Sequence, residues 1–252
     1  MITIRQDELL GRPLRVDPLA ELGDNTIDKL KQVIKSGDQK LALDIAEYLL
    51  WEGASLHDTY VDWIFSDLDF IAKNYGEEEI PKVLRFVRQT LDKNGAQKKR
   101  AQGSLLLKVQ LIAETMRVHR SGREERGNIK IWEEAERYVV ESDPCGAGGR
   151  LAIGPNDGSG SRIKPPFNLG TTTKPYPWSW SKKGVPYYCL HCCIWQEQIP
   201  IEKQGYPARI AECPAPNFDK PCRFYFYKSP ELIPAEYFER VGYKRDPSKF
   251  KK

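Results

Sequence analysis

All six cysteines of this chain fall between Cys145 and Cys222, and one short run reads Cys189-Leu190-His191-Cys192-Cys193. The residues before Cys145 hold none. Thiols and an imidazole grouped this tightly bind soft or borderline metal ions, or serve as reactive nucleophiles. Cys189-x-x-Cys192 is the spacing with which a tight turn offers two thiolates to one ion. Cys145 and Cys222 are the further ligands expected. Zinc is the expected metal, because thiolates and imidazole at ~2.0–2.3 Å in a tetrahedron suit it. Iron or an iron–sulfur cluster is the alternative. The regular ferredoxin cysteine run is absent, and so is the Cys-x-x-Cys-His of covalent haem, since here the histidine precedes Cys192.

Six cysteines and His191 exceed the four ligands of a closed site. Two readings follow. Four thiolates close a structural site and the remainder, Cys193 and Cys213 among them, are small buried hydrophobes. Otherwise one position stays open to water, or one thiol stays free as a nucleophile. Adjacent cysteines on a strand point to opposite faces, so Cys192, which completes the pair, is favoured over Cys193.

Three histidines occur in the chain. His191 sits inside the cysteine run. His119 extends the helical stripe Leu105, Val109, Ile112 and Met116. His57 lies three and four residues before Tyr60 and Val61. Those positions place His57 and His119 on inward faces, so His191, His119 and His57 are the candidate proton-transfer groups. The plainer reading of each is a hydrogen-bonded core histidine. Arg150, beside a glycine loop, and Arg117, beside His119, are candidates to hold a substrate carboxylate. The loop Cys145-Gly146-Ala147-Gly148-Gly149 is not a phosphate loop: position 151 is Leu, and no Gly-Lys-Ser/Thr follows. It reads as a tight turn that needs unusual backbone angles around a ligand.

The elements that must position these groups divide the chain in two. Residues 24–121 read as helices. Asp38 caps a segment that stops near Gly53. Ser55 caps another, with Tyr60, Val61, Ile64, Leu68 and Ile71 on its apolar face and an end at Gly76. Pro81 opens a further helix, and a long one runs from about Gln97 to Arg120. Short links between amphipathic helices imply an antiparallel bundle. Past Gly127 the chain turns loop-rich, with short strands at Arg137 to Glu141, Val185 to Tyr188 and Arg223 to Tyr227, and a last helix from Pro234 to Arg240. The aromatic stretch from Phe167 to Trp180 is a lid or a packed connection. The expected fold is therefore α+β: a bundle over residues 1–126, then a Cys-rich metal-binding segment over 127–252, where a metal would supply the staple that few long elements can give.

Composition narrows the function classes. An apolar fraction of 40% and a charged fraction of 29% over 252 residues are ordinary for a globular protein. No apolar run reaches the ~18 residues of a membrane span. The first residues lack a secretory pattern, which points to the cytoplasm, where clustered cysteines are more often ligands than disulfides. A net charge of +4 with interleaved acids gives no nucleic-acid footprint. The basic run at 97–100 reads as a solvated helix start, and the basic tail from Lys244 as a soluble end. The expected activity is zinc-assisted hydrolysis, hydration or elimination of a small, carboxylate-bearing molecule in a pocket between helical and Cys-rich parts. A binding module with structural zinc and an iron redox protein are the competing readings.

Overall fold

The computed structural model describes residues 2–95 and 102–251, and the fold is mixed α+β with a long helical N-terminal region and antiparallel sheets. The basic cluster at 97–100 lies outside the described residues. Two compact units form, Met1–Tyr60 and Val61–Lys252. The boundary therefore falls well before residue 126, because the later helices share one apolar core with the sheet.

The first unit begins with a hairpin that composition did not announce. Strands β1 (Ile4–Asp7) and β2 (Arg12–Arg15) pair antiparallel, with Ile4 opposite Arg15. Arg15 is buried, and its fork staples the loop that follows: Nε donates to Asp17 at 2.7 Å, Nη1 to the Asp24 carbonyl at 2.6 Å and Nη2 to the Glu21 carbonyl at 2.7 Å. Helix α1 (Thr26–Ser36) starts at Asn25, whose side chain accepts from the Ile27 and Asp28 amides, and ends at Gly37 in the left-handed region. Ile2, Val33 and Ile45 make the small core of this unit.

Helix α2 (Gln39–Tyr75) corrects the sequence reading at its centre. Asp38 does cap it, accepting from the Leu41 amide at 3.0 Å. Gly53 does not end it, and Ser55 is an interior residue. A glycine costs an exposed helix only ~1 kcal/mol, and the buried series Ile45, Ala54, Val61, Phe65 and Leu68 runs straight through. The inward stripe is also rotated from the expected one: Val61 and Leu68 are buried, Phe65 joins them, and Tyr60 and Ile64 are exposed.

The second unit holds the dense core. Helix α3 (Ile80–Leu91) carries Pro81 in its first turn, as expected. Helix α4 (Leu105–Val118) starts at Ser104, whose hydroxyl accepts from the Leu107 amide, and buries Val109, Ile112 and Met116. A four-stranded antiparallel sheet follows, in the order β3 (Lys130–Glu133), β4 (Arg137–Ser142), β6 (Cys222–Tyr227), β5 (Ile210–Glu212). The strand readings at Arg137 and Arg223 hold. The one at Val185 does not: after the short helix α5 (Gly148–Ile153), Pro186 leads into a helical run over residues 187–204, with α6 (Leu190–Cys193), a π-helical stretch Ile194–Gln198 and α7 (Ile199–Gln204). The basic tail is not a free end either. The Lys251 amide donates to the Gln204 carbonyl at 2.9 Å, and Phe250 stacks on Phe238.

Candidate metal centre

The CxxC pair lies on the first turns of the 187–204 run, not on a turn between strands. Three residues apart on a helix, Cys189 and Cys192 share a face. Cys193, one residue on, is rotated away; it is fully buried and its thiol donates to the Pro177 carbonyl at 3.6 Å. Cys192, and not Cys193, lines the cavity described below, and helical rather than strand geometry separates the two.

Two carboxylates set where this run begins. Glu77 accepts from the Thr173 amide at 2.8 Å, the Thr173 hydroxyl at 2.7 Å and the Tyr187 hydroxyl at 2.7 Å. Asp69 accepts from the Gly170 amide at 2.9 Å. The loop before the run and its first residue are thereby tied to α2 and its end. Burial works to raise the Glu77 carboxyl, but the hydrogen bonds from Thr173 and Tyr187 outweigh it and hold the group below its ordinary value. The aromatic stretch is likewise a docked connection: Tyr176 stacks on Trp178 at 4.2 Å, and buried Trp180 donates to Glu197 at 2.8 Å.

The glycine loop holds Cys145 by close approach rather than by unusual angles. None of Gly146, Gly148 and Gly149 has a positive φ. A Cβ on Gly146 would stand 1.8 Å from the His119 carbonyl oxygen, and one on Gly148 would stand 2.5 Å from the Cys189 sulfur. The loop is therefore pressed against the end of α4 on one side and against the CxxC helix on the other. Arg150 belongs to this scaffold: it is fully buried, with Nε on the Gly146 carbonyl at 2.8 Å and Nη1 on Glu125 at 3.1 Å. It does not line the cavity described next.

A cavity of about 100 Å³ opens among these parts. Cys145, Cys189, Cys192, Cys213 and Cys222 all line it, and so do His119, His191 and Arg209. Five of six thiols thus reach one chamber from four separate chain segments. Its remaining walls are largely apolar, with Ile112, Met116, Tyr188 and Phe218 among them. Arg117 is exposed on α4 and outside the lining, and His57 belongs to the first unit, where Nδ1 meets Asp58 at 2.8 Å. Of the three candidate histidines, His119 and His191 line the cavity, and neither candidate arginine does.

Contacts among the donors are mostly with one another. His191 Nδ1 lies 2.5 Å from the Tyr188 carbonyl, which fixes that nitrogen as the protonated one and leaves Nε2 as an acceptor, 3.4 Å from the Cys192 sulfur. Burial pushes the His191 imidazole down to about 4 and the Cys192 thiol up to about 11. Burial also raises Cys145 and Cys222. Cys189 and Cys213 share a hydrogen bond, which raises Cys189 and lowers Cys213. The amides of Ala147 and Gly149 point at the Cys145 sulfur. All six cysteines are free thiols. Among the described residues no three His, Cys, Asp or Glu side chains stand as a group that could hold one ion.

Sequence reasoning missed Arg209 and underweighted Cys213. Arg209 lines the chamber with its guanidinium carbon 4.4 Å above the Phe224 ring. Its pull toward the neutral form is desolvation, opposed by its contact with Cys192. The eight-residue gap between Cys213 and Cys222 hid their relation; β6 follows β5 antiparallel, so the end of one strand and the start of the other come together. Among the described residues no helix is long and apolar enough to cross a membrane. Comparison with protein-family models, with curated proteins and with solved structures found no match to this chain.

Proposed function

We propose that the second unit is a small-molecule enzyme whose thiol chamber holds zinc, and that its reaction is a metal-assisted hydrolysis, hydration or elimination. The observation that supports this is the convergence of five thiols and two imidazoles on one cavity. Thiolate and imidazole donors fit zinc by softness. Cys145, Cys189, Cys192 and Cys222 are the ligands proposed, with Cys213 as a fifth thiol in contact with Cys189. Zinc bound there would polarise a substrate oxygen or acidify a water.

The chain's own residues do the rest. His119 and His191 are the proton-transfer groups, one from the end of α4 and one from α6. The Tyr188 carbonyl fixes the His191 tautomer, so its Nε2 accepts rather than donates. The apolar walls exclude bulk water and strengthen each electrostatic interaction within. Arg209 is the half-buried cation available to an anionic group.

A second reading has one observation in its favour. The thiols stand around a void instead of meeting at a point, and a polynuclear iron–sulfur cluster takes its thiolates at wider separation than a single ion does. Elemental analysis and a visible spectrum of the purified protein separate the two. Colourless protein with one equivalent of zinc supports the first; brown protein with iron and acid-labile sulfide replaces it with the second. Protein with neither metal rejects both. Cobalt substitution then tests catalysis: spectra indifferent to pH and small anions would mark the site as closed and structural.

A further inference from the structure

Next to the chamber lies a larger groove of about 580 Å³ on the second unit, bordered by α3, α4, α7 and β6. Trp195, Tyr206, Tyr225 and Tyr227 line it. Arg88 and Lys203 each bind Asp92, the one acidic residue of the lining, at 2.8 Å, and Lys228 binds Glu133 at 2.6 Å. Lys108 and Arg209 make no ion pair with a carboxylate among the described residues. Only Ile112, Thr115 and Arg209 line both the groove and the chamber.

Arg209 is set as an anion receptor would be. The Phe224 ring covers one face of the guanidinium, so the plane is fixed before anything binds. One side of the fork reaches the Cys192 sulfur. Nε is buried and has no hydrogen-bond partner, and a buried donor left unmade is costly unless a ligand completes it. The nearest interior carboxylate, Glu197, is committed to Trp180, the Ala211 amide and Arg240. The backbone is pinned too: the Gln196 carbonyl accepts from the amides of Ala208 at 2.9 Å and Arg209 at 3.4 Å.

We infer that the groove binds a small aromatic carboxylic acid, with its carboxylate on Arg209 at the chamber wall and its ring among Trp195, Tyr206 and Tyr225. This names the substrate class of the proposed enzyme and rests on that reading; binding of the acid does not depend on the metal. A planar carboxylate fits the free edge of the fork, and rings stack on rings. Lys108 adds long-range attraction for an anion.

Calorimetric titration of the intact protein with benzoate, phenylacetate and indole-3-acetate, each beside its neutral amide, tests the inference. At least one acid is expected to bind in the micromolar to millimolar range and about tenfold or more tighter than its amide. Arg209→Met should abolish that preference, and Arg209→Lys should retain part of it, since charge remains and the fork is lost. Equal binding of acid and amide, binding of no acid, or an acid preference that survives Arg209→Met overturns the proposal. If Arg209→Met fails to melt cooperatively, Arg209→Lys decides: an undiminished acid preference there is also contrary. Zinc and iron measured on the same sample separate the two proposals. Acid binding by metal-free protein leaves the groove site standing and removes the metal enzyme; metal without acid selectivity does the reverse.

Discussion

Cys192 and Cys193 are neighbours on one helix, and they face two interiors built in opposite ways. Behind Cys193 lies Glu197, fully buried, with every polar contact answered: Trp180 Nε1 and the Ala211 amide donate at 2.8 Å, and Arg240 donates at 3.0 Å while also holding Glu212 at 2.6 Å. In front of Cys192 lie thiols, an imidazole and a guanidinium edge whose partners are chiefly each other across a void. Glu197 is saturated without a ligand, although Arg240 Nε, like Arg209 Nε, is buried with no hydrogen-bond partner, and the polar groups around Glu197 fix one packing of helix on sheet. The second interior sets five thiols around a void and leaves the Arg209 Nε without a partner.

The largest test of this contrast is on the saturated side. Glu197→Ala takes from mostly buried Arg240 one of its two carboxylates, leaving Glu212, and strands the Trp180 and Ala211 donors, which together should cost about 3–5 kcal/mol and bring the second unit close to unfolding in denaturant. A loss under about 1 kcal/mol would mean that the clamp is not what holds this side together. Next come the two cysteines compared directly. If the proposed zinc is held there, Cys192→Ser should release it and lower the melting temperature of the as-isolated protein, because ligation would be coupled to folding. Cys193→Ser should keep full metal content and show only a packing cost. The same metal content in both variants would erase the distinction drawn here.

Smaller effects sharpen it. His119→Asn keeps size and hydrogen bonding but removes the base, so turnover should fall ~10²-fold with folding intact; an unfolded variant with its metal retained would make His119 a core residue. The smallest effect is in pH. Glu77 has its folded pKa below its unfolded value, so its contribution to stability is present above the unfolded carboxyl range and is lost as pH falls through the lower folded value. Acid titration of the melting temperature should show a drop below about pH 4.5 that Glu77→Gln reduces. A slope unchanged by the substitution would assign acid sensitivity elsewhere.

How much of this was legible in the sequence depends on the range of the interactions involved. The stripe of α4, the first turn of α3 and the strands at Arg137 and Arg223 are local patterns, and they read correctly. Helix α2 was cut at Gly53 because propensity was weighed without the core that overrides it. Val185 to Tyr188 reads as a strand from its tyrosines, yet Pro186 followed by a Glu77-tethered Tyr187 starts a helix, and that tether comes from 110 residues away. Cys145 and Cys222 were chosen for a shared centre by residue type alone, and they line the same chamber. Arg209 carried no local signal: one arginine before a short strand looks like any other, and only the juxtaposition of Phe224, Cys192 and two hollows gives it a role.

Pro200 ties several of these facts into one chain of cause. It has no amide proton to return to the carbonyl four residues back, and its ring would clash there, so the helix widens by one residue and the Ile199 amide reaches Ile194 instead. The Gln196 carbonyl, released from helical duty, turns to the amides of Ala208 and Arg209. A missing hydrogen thus becomes an address: the defect in one element tells a later segment where to dock. Alanine at position 200 would heal the helix and take that instruction away, leaving the Arg209 fork without the backbone anchor that aims it.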